Sequence, residues 1–181
     1  DGVSVKINGQ PAYPYFISKT QVNVLAPANL PEGWATVELT RSGRTSPPVL
    51  VEVRRNAPGF FQYGADTRTF LVAVHLDATV VGDANAVPGT RFASPGQRLL
   101  LFGTGYEPAP SGLVTTPPQT VAGAIVRFNN TQAVVEGTAL ISPGLFQTNI
   151  VVPQLANGDY DVTIEINGRK SPTGVVISVH N

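Results

Sequence analysis

The two histidines are the side chains of this sequence best suited to acid–base chemistry. His75 lies two residues before Asp77 in an otherwise apolar run, and His180 follows the last predicted strand. A histidine beside a carboxylate is a candidate general base or metal ligand. No third partner lies nearby in the sequence. We therefore interpret His75 as an ordinary strand residue and expect His180 to be solvated.

Acidic and amide side chains between the two halves of the chain are candidate calcium ligands. Asp66, Asp77, Asp83 and Asn85 could supply the oxygen atoms that Ca²⁺ prefers. Their spacing matches neither an EF-hand nor a calcium-binding β-helix repeat, and Asp and Asn are also common turn residues. The chain has no cysteine, which excludes thiolate sites and thiol catalysis. We predict no metal site and no cofactor.

Three glycine-containing turns are the remaining candidates for catalysis. Gly103-Thr104-Gly105 resembles part of a phosphate cradle, but neither a helix pattern nor a lysine follows it. The two Ser-Pro-Gly triplets, at 94–96 and 142–144, read as turns, and no serine stands in a Gly-x-Ser-x-Gly motif. We predict no catalytic residues and a protein that is not an enzyme.

Two tyrosines and one asparagine are candidates for contact with sugars. Tyr13 and Tyr15 flank Pro14, and such aromatic rings could stack on pyranose rings; the alternative is packing within the fold. Asn129 opens an Asn-Asn-Thr triplet, which is an acceptor sequence for N-linked glycosylation. The alternative for Asn129 is an ordinary turn residue.

Composition and periodicity indicate an all-β protein. Lys+Arg and Asp+Glu number 12 each, so the chain lacks the basic surface of a nucleic-acid binder. No apolar run approaches the ~18 residues of a membrane span, so we predict no membrane insertion. Apolar residues alternate with polar ones in short segments, and the 18 Gly and 16 Pro mostly punctuate them.

The chain also repeats itself. Residues 21–27 (Gln-Val-Asn-Val-Leu-Ala-Pro) match residues 147–153 (Gln-Thr-Asn-Ile-Val-Val-Pro), residues 42–47 match 167–172, and residues 3–8 match 124–129. Short strands with regular turns are typical of sandwiches. We predict two tandem immunoglobulin-like β-sandwich modules: module 1 at 1–56, a linker or hairpin at 57–91, and module 2 at 92–181.

The two predicted modules are unequal. A strand and a Gly-rich turn at 95–105 precede the first matched strand of the second copy, whereas the first copy starts almost at Val3. Module 1 is therefore predicted to lack its opening strand and to expose an edge that can pair with another strand. The alternatives are a shortened chain and a module that closes with fewer strands. The candidate acceptor edge is Val3, Val5 and Ile7, and the candidate donor strand is Phe70, Val72, Val74, Leu76 and Val80.

These motifs, in this order, resemble the C-terminal region of large secreted acidobacterial proteins of the Solibacter type. The motifs are residues 3–9, 17–27 and 42–46, then Ala-Pro-Gly-Phe-Phe at 57–61, Ala-Val-His-Leu-Asp at 73–77, and 95–105. The resemblance implies an exported protein with two immunoglobulin-like modules similar to IPT/TIG domains. It implies no activity. The chain departs from that pattern at its start, where the strand before Val3 is missing.

These observations favour a non-enzymatic extracellular structural module that assembles with copies of itself or with a cell-surface protein. Strand exchange that runs head to tail does not close, so it would produce a filament. The alternative is an accessory domain of a larger secreted protein that binds carbohydrate, such as a polysaccharide, or a cell surface. We expect an extracellular or cell-surface location in a bacterium.

Overall fold

The computed structural model describes residues 2–65, 67–108 and 119–181, and these residues confirm the predicted all-β fold. They form strands and turns and include no helix, so no helical membrane span occurs among them. The chain divides into two compact units, with the break between Arg55 and Asn56. Each unit is described separately below.

The first unit is built on one antiparallel sheet. Its strands are β1 (Val3–Ile7), β2 (Gln10–Ile17), β3 (Val22–Leu25), β4 (Gly33–Arg41), β5 (Arg44–Thr45) and β6 (Val49–Val53). The strands follow the order β3-β2-β1-β4-β5 across the sheet, where β5 pairs with the end of β4 and β6 pairs with its beginning.

The core of the first unit is small. Its buried hydrophobic side chains are Val5, Ile7, Ala12 and Ala35, with further aliphatic residues only partly covered. The first part of β2, up to Ala12, pairs with β1, and its second part, from Tyr13, pairs with β3. A β-bulge between Pro14 and Phe16 lies within the pairing with β3, and a bulge bends a strand and strengthens its twist.

The second unit has two sheets and a larger core. One sheet has the order β10-β11-β15-β14 with β7 on β11, and the other has the order β13-β12-β16-β18-β9-β8 with β17 on β16. Its strands are β7 (Gly59–Phe60), β8 (Gln62–Ala65), β9 (Arg68–Leu71), β10 (Ala73–His75), β11 (Arg98–Thr104), β12 (Ile125–Phe128), β13 (Thr131–Gln132), β14 (Val134–Ser142), β15 (Leu145–Val151), β16 (Gly158–Ile166), β17 (Arg169–Lys170) and β18 (Val176–Val179).

The segment 57–91, predicted from the sequence to be a linker or hairpin, forms part of the second unit. The strands β8 and β9 do form a hairpin, but β9 also pairs with β18, and both β7 and β10 pair with β11. Its apolar residues Phe70, Leu71 and Ala73 are buried. Burial of these side chains holds the segment on the core of the second unit.

An asparagine at the end of the first repeated strand is used in the same way in both units. The Asn8 Oδ1 accepts a hydrogen bond from the Thr36 amide at 2.8 Å, and the Asn129 Oδ1 accepts one from the Asp161 amide at 2.9 Å. Both asparagines have positive φ, 48° and 52°, a conformation that Asn tolerates better than most residues. The sequence repeat is therefore also a repeat of local structure.

A serine after the second repeated turn is a further shared feature. The Ser46 Oγ accepts a hydrogen bond from the Leu39 amide at 3.2 Å, and the Ser171 Oγ accepts one from the Ile164 amide at 3.1 Å. The first bond is only part-buried, whereas Ser171 is buried. The equivalent hydroxyls of the two units thus lie in a partly solvent-accessible and in a buried environment.

We expect Ser171→Ala to lower the free energy of unfolding by about 1–3 kcal/mol, because it leaves the buried Ile164 amide without an acceptor. The matched variant Ser46→Ala should cost less, since water can reach its partner. Urea denaturation of the two variants checks this difference. Equal losses would contradict the assignment of the two environments.

Candidate functional site

The strand β3 has an unpaired edge in the first unit. It pairs with β2, and no second neighbour lies beside it among the described residues. The equivalent strand of the second unit is β15, because residues 21–27 match residues 147–153. The strand β15 pairs with β14 on one side and with β11 on the other. Among the described residues the first unit therefore has no counterpart of β11.

Aliphatic side chains of β6 are uncovered on the face that should be buried. Antiparallel pairing puts Val51 opposite the buried Ala35, so Val51 and Val49 point to the core side. The second-unit equivalents by register are Ile177 and Val175. Val51 is 36% exposed and Ile177 is 1% exposed; Val49 is 60% exposed and Val175 is 7% exposed. In the second unit β18 pairs with β9 as well as with β16, and no described strand of the first unit takes the place of β9 or of β11.

We call this region the open side of the first unit: the free edge of β3 together with the core-facing residues Ile17, Val49 and Val51. Ile17 lies opposite Val22 in the β2–β3 pair and is also exposed. Full burial of an aliphatic side chain of this size is worth about 1.5–3 kcal/mol. Covering the open side would therefore stabilise the unit substantially.

The edge of β3 carries none of the features that usually block edge pairing. Its sequence, Val-Asn-Val-Leu, has no charge and no proline. The other outer strands differ: β5 is two residues long and contains Arg44, and β6 follows Pro47-Pro48 and contains Glu52. Short length, charge and proline oppose the addition of a strand. The edge of β3 is thus the most accessible to a strand.

The acceptor edge predicted from sequence is wrong. Val3, Val5 and Ile7 belong to β1, in which Val5 and Ile7 pair with both β2 and β4, and Val3 pairs with β4. Strand residues with a neighbour on each side have no free backbone groups for a third strand. The free edge lies on β3, which sequence comparison with the second copy did not single out.

The predicted donor segment is already paired within the second unit. Phe70 is buried in β9, and Val74 lies in β10 paired with β11. The backbone of Val72 bonds with Phe61 and Phe102, and Val80 forms a bridge with Val74. Of the five predicted donor residues, Leu76 lies in the turn after β10 and is exposed. The segment therefore does not offer a free strand.

The candidate sugar-contacting residues lie on the surface. Tyr13 and Tyr15 are exposed on β2 next to the open side, and Tyr15 is the residue left unpaired in the bulge. Asn129 is exposed in the turn between β12 and β13, where its Oδ1 is held by the Asp161 amide. Asn8 makes the same contact in a sequence without a glycosylation acceptor triplet.

The residues considered for acid–base chemistry serve as structural contacts. His75 is buried, and its Nε2 donates to the Arg91 carbonyl oxygen at 3.2 Å. Burial lowers the pKa of His75. Asp77 accepts bonds from the Thr79 amide at 3.0 Å and from Arg91 at 3.0 Å, and these bonds lower its pKa to about 2. Both groups are thus engaged in hydrogen bonds within the chain, His75 in the interior and Asp77 at the surface.

The described calcium candidates lie in two different turns, Asp77 in one and Asp83 with Asn85 in the other. Asp83 is paired with Arg68 at 2.8 Å and accepts from the Asn85 amide at 2.9 Å, and the pKa of Asp83 is lowered, chiefly by Arg68. Asp77 lies in a separate turn, and Asp66 lies outside the described residues. Within the described ranges no group of three His, Cys, Asp or Glu residues could hold a metal ion.

One polar cleft lies in the second unit, with a volume of about 370 Å³. Asp83 and Asp159 line it, and both bind Arg68, at 2.8 and 3.0 Å. The rings of Phe92 and His180 stack at 4.7 Å between centroids. Arg68 on β9 pairs with both carboxylates and so links its strand to β16 and to the loop that contains Asp83.

The predicted Gly-Thr-Gly turn at the end of β11 has a packing role. A Cβ at Gly103 would collide with the Tyr106 hydroxyl and the Gly59 carbonyl. A Cβ at Gly105 would collide with the Ala57 carbonyl, and Gly105 also has φ +72°. Both glycines therefore allow close approach of neighbouring backbone and aromatic groups.

Comparison with known proteins yields similarity only to solved structures. No protein-family model and no curated protein matches the chain. The surface glycan-binding protein SGBP-B of the Bacteroides ovatus mixed-linkage glucan utilization locus, in complex with a mixed-linkage heptasaccharide, matches with 16% identity and a TM-score of 0.33; the match covers 99% of this chain and 37% of that one. The Gamma-CGTase of alkalophilic Bacillus clarkii matches with 14% identity and a TM-score of 0.38, over 98% and 23% of the two chains.

Domains 4 and 5 of the S-layer protein SbsC match with 13% identity and a TM-score of 0.30, over 98% of this chain and 99% of theirs. The chain spans about a third and about a quarter of the first two proteins, respectively. Similarity at this level assigns neither a ligand nor an activity to this chain.

Acid should destabilise the fold through His75. The unfolded state takes up a proton near pH 6.5, whereas burial keeps the folded imidazole neutral to lower pH, so stability falls as pH drops from about 7 through the folded pKa. Replacement His75→Gln keeps an N–H donor for the Arg91 carbonyl and should flatten this dependence. Thermal unfolding between pH 7 and pH 5 measures it. An unchanged slope in the variant would exclude His75 as the cause.

Proposed function

We propose that the chain is a non-enzymatic structural module of an extracellular or cell-surface protein, and that its first unit is completed by a β-strand from outside the described residues. The observation that carries the proposal is the exposure of Val49 and Val51 on a face that is buried in the second unit. The uncharged free edge of β3 supports strand addition in particular.

A structural role also agrees with the hydrogen bonds that the titratable residues make. His75, Asp77 and Asp83 each hold a turn or a backbone group in place, and no catalytic role is left for them in the proposal. The absence of cysteine and the balanced charge of 12 basic and 12 acidic residues are compatible with a secreted bacterial protein whose copies do not repel one another.

In its finer form, the proposal is self-assembly by strand exchange. A strand supplied by a neighbouring copy would pair with β3 and link the copies head to tail, which produces a filament rather than a closed ring when the rotation does not close. The segment Phe70 to Val81 is not the donor in this proposal, because its backbone is engaged in the second unit. A cell-surface protein could supply the same strand.

The open side should drive self-association and the binding of apolar dyes. Val49→Glu places a charge on the core-facing side of β6 and should abolish both, whereas Leu50→Glu should leave them unchanged. Leu50 is the matched control because it is 66% exposed on the opposite face of the same strand. Sedimentation velocity and dye fluorescence measure the effect, and negative-stain electron microscopy shows whether filaments form.

A chain that is monomeric at all concentrations, with a dye signal that does not respond to Val49→Glu, would overturn this proposal. An equal response to Val49→Glu and Leu50→Glu would show that general surface hydrophobicity, rather than the open side, drives association.

The second candidate function is carbohydrate binding in an accessory domain of a larger secreted protein. The observation in its favour is the exposure of Tyr13 and Tyr15 on one strand. Aromatic side chains that project from a rigid sheet lose little entropy on binding a planar ligand. The ligand in this proposal is a polysaccharide at the surface of the cell or its surroundings.

The double variant Tyr13→Ala/Tyr15→Ala should weaken polysaccharide binding by about tenfold or more if these rings contribute to the contact. Trp34→Ala is the control, because Trp34 is an equally exposed aromatic residue on another strand, β4. Affinity electrophoresis in gels that contain soluble polysaccharides measures the change. Retained binding in the tyrosine variant would exclude this surface.

A further inference from the structure

The polar cleft of the second unit has the size of a small-ligand site. It is bounded by the loop after β10, the start of β16 and the end of β18. Its volume of about 370 Å³ lies at the lower end of the range usual for small-ligand sites, about 300–1,000 Å³. Asn85, Asn157 and His180 line the cleft and are exposed. The cleft is therefore open to solvent and to a ligand of a few rings.

An aromatic pair contributes to the lining of the cleft. The rings of Phe92 and His180 stack with an interplanar angle of 29°, and Phe92 is half-buried whereas His180 is exposed. The backbone of His180 is held on both sides, because its amide donates to the Ala93 carbonyl at 2.8 Å and its carbonyl accepts from the Ser94 Oγ at 2.7 Å. The imidazole is thus positioned and still accessible. A ring held in this way loses little entropy when a ligand ring stacks on it.

Two side-chain amides of the cleft have hydrogen-bonding capacity left. The Asn157 Oδ1 accepts a bond from the Asn181 amide at 2.8 Å, which orients this side chain, and its Nδ2 has no hydrogen-bond partner among the described residues. The Asn85 side chain has none within the described ranges either, although its backbone amide donates to Asp83. Each amide side chain offers N–H donors and a carbonyl acceptor. A ligand whose groups both donate and accept would use them fully.

The charges of the cleft disfavour an ionic ligand. Asp83 and Asp159 both bind Arg68, and Asp159 also accepts a bond from the Ser178 hydroxyl. Two carboxylates against one guanidinium leave an excess of negative charge, which repels an anion. A cation would have to compete with Arg68 for the same carboxylates. The carboxylate oxygens still have lone pairs that accept a hydrogen bond from a neutral hydroxyl group.

These features match the chemistry of a neutral pyranose, which has an apolar C–H face and a rim of hydroxyl groups that donate and accept. We propose that the cleft binds a neutral sugar ring of an oligosaccharide or polysaccharide, stacked on His180, with hydroxyl groups bonded to Asn85, Asn157 and Asp159. The site is separate from the tyrosine surface of the first unit. It goes beyond the structural role proposed above and does not depend on strand addition.

Amide NMR spectra of the full chain test the site directly. Cellohexaose, maltohexaose, mannohexaose and xylohexaose are the neutral probes, and at least one of them should shift the side-chain amide signals of Asn85 and Asn157. A galacturonate hexamer is the acidic counterpart. It should shift neither signal, because the carboxylates of the cleft repel it.

Variants of the cleft test the roles of its side chains with the probe that responds. His180→Ala removes the stacking ring and should weaken binding by about tenfold, whereas His180→Phe keeps a ring and should retain most of the affinity. Asn157→Ala removes one hydrogen-bonding group and should weaken binding by about threefold or more. The matched control Tyr13→Ala/Tyr15→Ala should bind the probe at the cleft as the original chain does.

The inference is wrong if no neutral probe shifts the Asn85 and Asn157 signals, if the galacturonate hexamer shifts them equally, or if His180→Ala binds as tightly as the original. Shifts confined to the surroundings of Tyr13 and Tyr15 would assign sugar binding to the first unit and also overturn it. None of these outcomes alters the response of self-association to Val49→Glu, so this inference and the structural proposal fail separately.

Discussion

The strand positions beside β3/β15 and beside β6/β18 decide how much core each unit closes. In the second unit β11 occupies the first position and β9 the second, and Leu99, Leu101 and Phe70 are buried. In the first unit both positions are vacant among the described residues, and Val49 and Val51 on β6 are exposed. A sheet face gains its stability from the layer that covers it, so vacant strand positions leave residues of the remaining strands uncovered.

The two units share the same local hydrogen bonds despite this difference in their cores. The Asn8 and Asn129 contacts, and the Ser46 and Ser171 contacts, have nearly the same geometry in the small core as in the large one. These hydrogen bonds join turns to the next strand and need no second layer. The geometry of these turns is therefore the same in both units, whereas closure of the core depends on strand partners that are distant in the sequence.

Polar groups in the second unit support the same closure. Arg68 on β9 binds Asp83 in a loop and Asp159 on β16, and buried His75 holds the Arg91 carbonyl. The Arg68–Asp159 pair connects the segment 57–91 to β16, and the other two contacts join parts of the segment to one another. That segment looked like a free apolar strand in the sequence, but it is part of the cover of the second unit.

The sequence by itself determined the all-β class, the repeat and the positions of most turns, because alternation and turn residues such as Asn8-Gly9 act over a few neighbouring residues. It also indicated that a strand is missing from the first copy. It assigned the free edge to β1, since β1 is next to the gap along the chain, and it took Phe70 to Val81 as unpaired. The tertiary structure moved the edge to β3 and buried Phe70, because the partner of a strand is set by non-local register and packing that an apolar alternation does not specify.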